Sequence, residues 1–306
     1  MRAIVTGGAG FIGSSLVDAL LARGDDVIVV DDLSTGRIEN LPATADVVRH
    51  DVREPFPDVF AEHRPEVCFH LAAKVDVNAS VERPHDDAAV NVVGTVNALA
   101  GAAQVGAKVV FASSGGAIYG EAPVPVDEDA PRLPLSPYGC AKLAAEEYVA
   151  TYGRLTSVQH VSMRFANVYG PRQIPGTEAA VVGVFLTRLA RGDQPRIFGD
   201  GSQTRDFVYV GDAVDAMLRA AERGTGVYNV GTGVSVSVLD LYDRCCAIAH
   251  SVPAAEFMPA RAGEIHDNVL DAARARRELG WSARTDLGAG LAATWRWFVD
   301  GYGVTP

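Results

Sequence analysis

The sequence predicts a doubly wound α/β fold, a parallel sheet wrapped by helices on both faces, with a smaller C-terminal domain beside it. Three observations carry that reading. Short apolar runs alternate with segments of helical spacing through the first 170 residues, the first run opens into a glycine-rich turn, and from residue 171 the chain becomes richer in Gly, Pro and Arg. With 306 residues and 48% hydrophobic content, the chain can bury the core such a fold requires.

Strands are expected at "AIVT" (3–6), "DVIVVDD" (26–32), "DVVRHD" (46–51), "VCFHLAA" (67–73), "KVVFASS" (108–114) and "VSMRFANVYG" (161–170), each followed by a loop. Between them "SSLVDALLARG" and "AVNVVGTVNALAGAAQVG" have helical spacing, an alternation that makes the sheet parallel. Beyond 171 a strand-like "VYNVGT" and helices near 212–223, 238–249 and 271–280 are predicted. The first domain is placed at 1–170 with a return near 206–232, and the second at 171–306. The aromatic "WRWFVDGYG" reads as helical packing followed by a frayed tail, and Cys245-Cys246 as core filling.

Composition narrows the function classes. A net charge of −11 without a basic cluster gives no electrostatic footprint for nucleic acid or an anionic membrane. No run of 18 apolar residues and no charged leader is seen, so a cytoplasmic protein is expected. The four cysteines, Cys68, Cys140, Cys245 and Cys246, have neither zinc-ligand spacing nor a disulfide framework, so no metal is expected and the thiols are read as reduced.

"VTGGAGFIG" sets Gly7, Gly10 and Gly13 between the first strand and an amphipathic helix. Glycines there let a pyrophosphate approach the helix N-terminus, where free N–H groups and the helix dipole hold it, which makes the fold Rossmann-type. The second strand ends at Asp31-Asp32, about 20 residues on, where a carboxylate accepts both ribose hydroxyls and repels a 2′-phosphate. The cofactor is therefore read as NAD. In "SPYGCAKLAAEE", Tyr138 and Lys142 lie four apart, on one face of a helix. To act as a base near neutrality a phenol must ionise about three pH units below its ordinary value, about 4 kcal/mol. One positive charge ~5 Å away supplies roughly 3 kcal/mol at an effective dielectric of ~20, and an oxidised nicotinamide adds to it.

With these residues in place the chain resembles the extended short-chain dehydrogenase/reductase family and, within it, the UDP-sugar 4-epimerases acting on UDP-glucose and UDP-galactose. The likeness rests on "VTGGAGFIGS", "DDLSTG", "HLAA", "SSGGAIYG", "SPYGCAK", "RFANVYGPRQ", "FGDGSQTRDFVYVGD", "NVGTG" and "PARAGE", in family order. It implies a tightly held NAD. Phe11 and Ile12 lie in the glycine turn, Ser34, Thr35 and Gly36 follow the ribose acid, and Asp51-Val52 meet the adenine. Leu71, Ala72, Ala73, Lys74, Asn91 and Ser113 line the cofactor, and Phe165 stands near the nicotinamide. The resemblance also implies a UDP-sugar site, with Asn167 on the diphosphate, Val181 and Phe198 around uracil, Arg205 and Arg261 on the phosphates, and Glu264 at the ribose. Two guanidiniums, each able to grip phosphate bidentately, suit an otherwise acidic protein.

"SSGGAIYG" then selects among the family's reactions. Relatives that eliminate water carry an Asp-Glu pair three and two residues before the tyrosine equivalent to Tyr119, decarboxylating relatives a Glu two before it, and 3,5-epimerising relatives a Cys there. This chain has Gly116 and Ala117. With no further acid or base, a 4-keto sugar can only take hydride back, which argues for 4-epimerisation. The Ser or Thr that shares a hydrogen bond with the catalytic tyrosine in the family falls on Gly115, so Ser114 is expected to substitute through a bulge at Gly115-Gly116. Lys74 and Arg172 could face a sugar carboxylate, which keeps UDP-glucuronate as the alternative substrate. Asn268 falls where the family limits bulk at C2, and a homodimer paired through helix 89–103 and the helix after Tyr138 is implied. A dinucleotide sensor without catalysis is the alternative from another class; it would have no use for Tyr138 with Lys142.

Overall fold

The computed structural model describes residues 1–173, 181–251, 253–260 and 265–302. The chain begins with β1 (Arg2–Thr6), α1 (Phe11–Ala22), β2 (Asp26–Asp31), β3 (Asp46–Arg49), α2 (Pro57–His63) and β4 (Val67–His70). It continues through α3 (Val77–Glu82), α4 (Pro84–Ala88), a π-helical turn (Ala89–Val93), α5 (Gly94–Val105), β5 (Lys108–Ser114), the short turn α6 (Gly115–Ile118) and α7 (Pro137–Thr156). Next come β6 (Val161–Phe165), β7 (Asn167–Tyr169), α8 (Val181–Arg191), β8 (Arg196–Phe198), β9 (Thr204–Arg205), β10 (Phe207–Tyr209) and α9 (Val210–Arg223). The last elements are β11 (Gly226–Val230), β12 (Val236–Ser237), α10 (Val238–Ala249), β13 (Glu256–Met258), β14 (Asp267–Asn268), α11 (Ala273–Leu279) and α12 (Leu287–Tyr302).

Seven strands form one all-parallel sheet in the order β11-β6-β5-β4-β1-β2-β3. Their interiors are runs of Val and Ile because both faces are covered: α1, α9 and α11 pack on one, α2, α5 and α7 on the other. The chain order reverses between β1 and β4, which opens a crevice at the carboxyl ends of the strands. β11 joins this sheet beside β6, so residues 226–230 return to it after the chain has built β8 to β10 elsewhere. A third apolar cluster, made by α8, α10 and α12, underlies the C-terminal elements.

Local chemistry explains the boundaries. The Ser136 hydroxyl caps α7 by accepting from the Gly139 N–H, with Pro137 at the first helical position, and Ser237 caps α10 in the same way. α5 ends where Gly106 turns left-handed. Pro84–Val105 runs as one helical stretch, apolar and long enough to satisfy the composition of a membrane span, yet it packs against α2, α7 and the sheet strands. Its mid-course π turn carries the buried Asn91.

Two expectations are corrected. The run 161–170 is two strands: at Ala166 the chain donates to Val230, then Asn167 pairs with the Asp206 carbonyl, so β7 leaves the main sheet for β10. Gly115-Gly116 forms no bulge; β5 runs straight to Ser114 and the glycines open the helical turn α6.

Candidate active site

The glycine turn closes on itself before α1. Gly7 takes a left-handed backbone, and a Cβ there would lie 2.7 Å from the Ala72 nitrogen, so the β1 and β4 loops approach as only glycine permits. A Cβ on Gly13 would collide with the Gly7 carbonyl oxygen. No side chain caps α1 at Gly10, which leaves its first-turn N–H groups, from Phe11 onward, for an anion. Asp31 ends β2 with its carboxylate buried, accepting from the N–H groups of Ala9 at 2.9 Å and Leu33 at 2.8 Å. Burial pushes its carboxyl up and those two N–H groups oppose the shift. A Cβ on Gly36 would come within 2.9 Å of the same carboxylate, Asp32 accepts from the Ser34 N–H, and Ser34 and Thr35 are exposed. Of the two acids, Asp31 is therefore the one built into the turn.

Across the crevice the remaining strand ends line up. The Asp51 carboxylate is gripped by Arg53, which holds it below the usual carboxylate range, and Asn97 donates to the carbonyls of Val52 and Arg53. After β4, the loop Leu71–Lys74 is tied by Asn91, whose amide both accepts from and donates to the Lys74 backbone; the Lys74 side chain is exposed. His70, just before the loop, is neutral: burial lowers it to about 3, with Thr6 and Thr95 hydroxyls at its two ring nitrogens.

Tyr138 sits in the first turn of α7, 9% exposed, its N–H donating to the Ser80 hydroxyl. The Ser114 hydroxyl faces the phenol and tends to lower its pKa, whereas Ser113, the preceding residue on β5, is buried with its oxygen unpartnered. Ser114 thus reaches the tyrosine by strand alternation alone. A side chain at Gly115 would displace Leu270, whose Cδ1 lies 2.5 Å from where a Cβ would stand.

Lys142, 3% exposed, donates to the Ala112 carbonyl at 2.9 Å and lies 6.0 Å from the Tyr138 ring centre. Burial lowers its ammonium to about 8, opposed by the charges of Asp87 and Glu146. The phenol itself is pushed up to about 12, chiefly by burial and further by Asp87. Tyr138 and Lys142 alone therefore do not make a base near neutrality; an additional positive charge is required.

The family model for the NAD dependent epimerase/dehydratase family matches residues 3–231. The chain belongs to that family. It is 45% identical to a UDP-glucose 4-epimerase of Mycolicibacterium smegmatis, over 97% of this chain and 98% of that protein. Among solved structures, it superposes with a TM-score of 0.96 and 41% identity on the Thermotoga maritima UDP-glucose 4-epimerase with UDP-glucose, covering 99% of this chain and 100% of that one. For the Thermus thermophilus UDP-glucose 4-epimerase complex with NAD the values are 0.93 and 40%, with 97% and 99% covered. The uncapped α1 terminus, the glycine cradle and the buried Asp31 fit the NAD that the family name states.

A chain of contacts joins several of the expected cofactor and substrate residues. Phe165 ends β6, Asn167 pairs with Asp206, Arg205 pairs across β9 with Asn268, and Asn268 donates to the Gly115 carbonyl beside Ser114. Arg205 also donates to the Thr204 and His266 carbonyls. Val181 opens α8 and Phe198 closes β8, both half-buried among the C-terminal elements. Arg261 and Glu264 lie outside the described residues.

Arg172, expected to face a sugar carboxylate, has a carboxylate partner within the chain. It forms an ion pair with Asp18 of α1 at 2.7 Å and lines a shallow cleft with Ser15, Tyr209 and Trp297. Two features escaped the sequence reading. Glu146, one helical turn after Lys142, is buried in an ion pair with Arg164, which also donates to Tyr119 and the Glu128 carbonyl. Asp87, four before Asn91, is a buried acid facing Lys142. In both cases i, i+4 spacing from a named residue was the available signal.

Proposed function

We propose that this protein interconverts UDP-glucose and UDP-galactose by transient oxidation at C4 of the sugar. The observation that carries the reading is the strand end itself: Ser114 and Tyr138 meet there, Lys142 stands behind them, and the two residues that follow Gly115, Gly116 and Ala117, bear no acid or base. The similarity to UDP-glucose 4-epimerases supports it.

In this reading Ser114 and Tyr138 hold the C4 hydroxyl between them, and Tyr138 takes its proton. Bound NAD supplies the hydride acceptor and then the hydride donor. Gly116 and Ala117 offer nothing to deprotonate C3 or C5, so the 4-keto sugar keeps its other centres. The keto sugar then turns to present its other face. Tyr138 then returns the proton. Residues 1–170 with the return at 206–232 hold NAD, through Gly7, Gly10, Gly13, Asp31 and the β3 and β4 loops. Residues 171–306 hold most of the nucleotide, with Arg205 and Arg261 on the diphosphate.

A neutral hexose is favoured over UDP-glucuronate because Arg172 is engaged with Asp18, leaving Lys74 as the one cation proposed for a carboxylate. A homodimer is supported by Val93, Tyr148 and Leu155, which are 47%, 44% and 74% exposed on the helices expected to pair. Four free cysteines suit a reducing cytoplasm.

The test is NMR of purified protein mixed, without added cofactor, with UDP-glucose or with UDP-glucuronate. C4 inversion of UDP-glucose is the expected result. Inversion of UDP-glucuronate alone would replace the substrate, and inversion of neither by protein containing NAD would favour the sensor.

A further inference from the structure

Asp87 has no part in the chemistry above, yet it is a buried carboxylate on α4, which packs on the helix carrying Tyr138 and Lys142. It is 3% exposed. Its Oδ1 accepts from the Asn91 amide at 3.0 Å, while Oδ2 is buried with no hydrogen-bond partner. α4 packs directly on α7, and the Asp87 charge acts on both Lys142 and Tyr138. A buried acid is costly unless its charge is used, and structural needs alone would be met by an amide on Asn91.

The surrounding charges are few. Lys142 donates to Ala112, Glu146 is matched by Arg164 and His70 is neutral. On α3 and α4, Glu82, Arg83, His85 and Asp86 are exposed; in the preceding loop Lys74 is exposed and Asp76 caps α3. Against Tyr138 stand Ser114 from β5 and Ser80 from α3, both uncharged. Counting Lys142, Arg164, Glu146 and Asp87, the cluster is neutral while the phenol holds its proton. Losing that proton makes the cluster negative, unless a further positive charge lies beside it.

We infer that Asp87 is a positioning residue for the catalytic pair: its charge balances Lys142, so that Tyr138 gives up its proton only when an oxidised nicotinamide stands over it. This rests on the epimerase reading for the roles of Tyr138 and Lys142. The functional consequence is a phenol that is a base before hydride transfer and an acid after it, so proton and hydride move together in both directions.

The test follows the near-ultraviolet absorbance of tyrosinate against pH in purified protein with its NAD oxidised and again with it reduced, no sugar being present. Subtracting the Tyr138→Phe protein isolates this phenol. Asp87→Asn is expected to move its ionisation lower in both forms, by about one pH unit or more, the effect of removing one nearby buried negative charge. The pH–kcat profile should move the same way, with KM for UDP-glucose unchanged. An unshifted tyrosinate titration in folded Asp87→Asn, judged by thermal melting, overturns the inference. Asp87→Ser removes the same charge with less bulk, and the prediction is identical for it if the amide variant does not fold. Because the titration needs no substrate, it reads the same whether or not UDP-glucose proves to be the sugar.

Discussion

Ser114 is the hydroxyl proposed to work with Tyr138, and the prediction at this scale is kinetic. Removing one shared hydrogen bond costs roughly 1–3 kcal/mol in the transition state, so Ser114→Ala should turn over about 5- to 150-fold more slowly with its NAD content unchanged. An unchanged rate would remove Ser114 from the mechanism. Adding Gly115→Ser to that variant should not restore the rate, because Leu270 occupies the space a side chain would need; recovery would show that a hydroxyl at either position serves. Tyr138→Phe should lose turnover while retaining NAD, and full activity there would falsify the proposed chemistry. Tyr138 and Lys142 are legible in the sequence because a helix fixes their spacing. The state of the phenol is not: burial and Asp87 push it up, and both depend on helices brought together from distant parts of the chain.

At the scale of elements, the crevice depends on close approaches between strand loops. Gly13→Ala places a methyl against the Gly7 carbonyl, so the turn must open and purified protein should carry little or no NAD, measured by absorbance after denaturation. Normal NAD content in that variant would mean the turn does not hold the pyrophosphate. The Glu146–Arg164 pair fastens α7 to β6, and Arg164 reaches on to Tyr119, which in turn donates to Asn229 of β11. Glu146→Gln leaves a buried guanidinium short of its counter-charge and should destabilise by about 3–5 kcal/mol in urea unfolding; a loss below about 1 kcal/mol would show that Tyr119 and backbone carbonyls satisfy Arg164 alone. Strand starts were readable from Val/Ile runs, and the first turn from its glycines. The break of 161–170 into β6 and β7 was not, since it follows from partners near 206 and 230, and the sequence names no partners. The Arg172 ion pair was not legible for the same reason: its neighbour Asp18 is 154 positions earlier in the chain.

For the whole molecule, the doubly wound order was legible from alternation, because parallel strands require crossovers. The return of β11 beside β6 was visible only as an approximate span. Folding also buries two neutral imidazoles, lowered to about 3 at His70 and about 4 at His160 by burial. An unfolded His ionises near pH 6.5, so the unfolded chain binds more protons below that value and stability falls with pH. The two together give a slope of at most about 2.7 kcal/mol per pH unit. The buried acids Asp31, Asp87, Glu128 and Asp206 are raised and act in the opposite sense, but only nearer the carboxylate range. Urea midpoints should therefore begin to drop between pH 6.5 and 5.5; a flat midpoint over that interval would show that these imidazoles are protonated in the fold.

The central claim is that hydride leaves C4 and returns to it within one site. UDP-glucose carrying deuterium at C4, incubated with the purified protein in ordinary water and followed by NMR, tests this directly. The account predicts UDP-galactose with the deuterium still on C4. Inversion with loss of the label to water, or oxidised sugar without inversion, would contradict it.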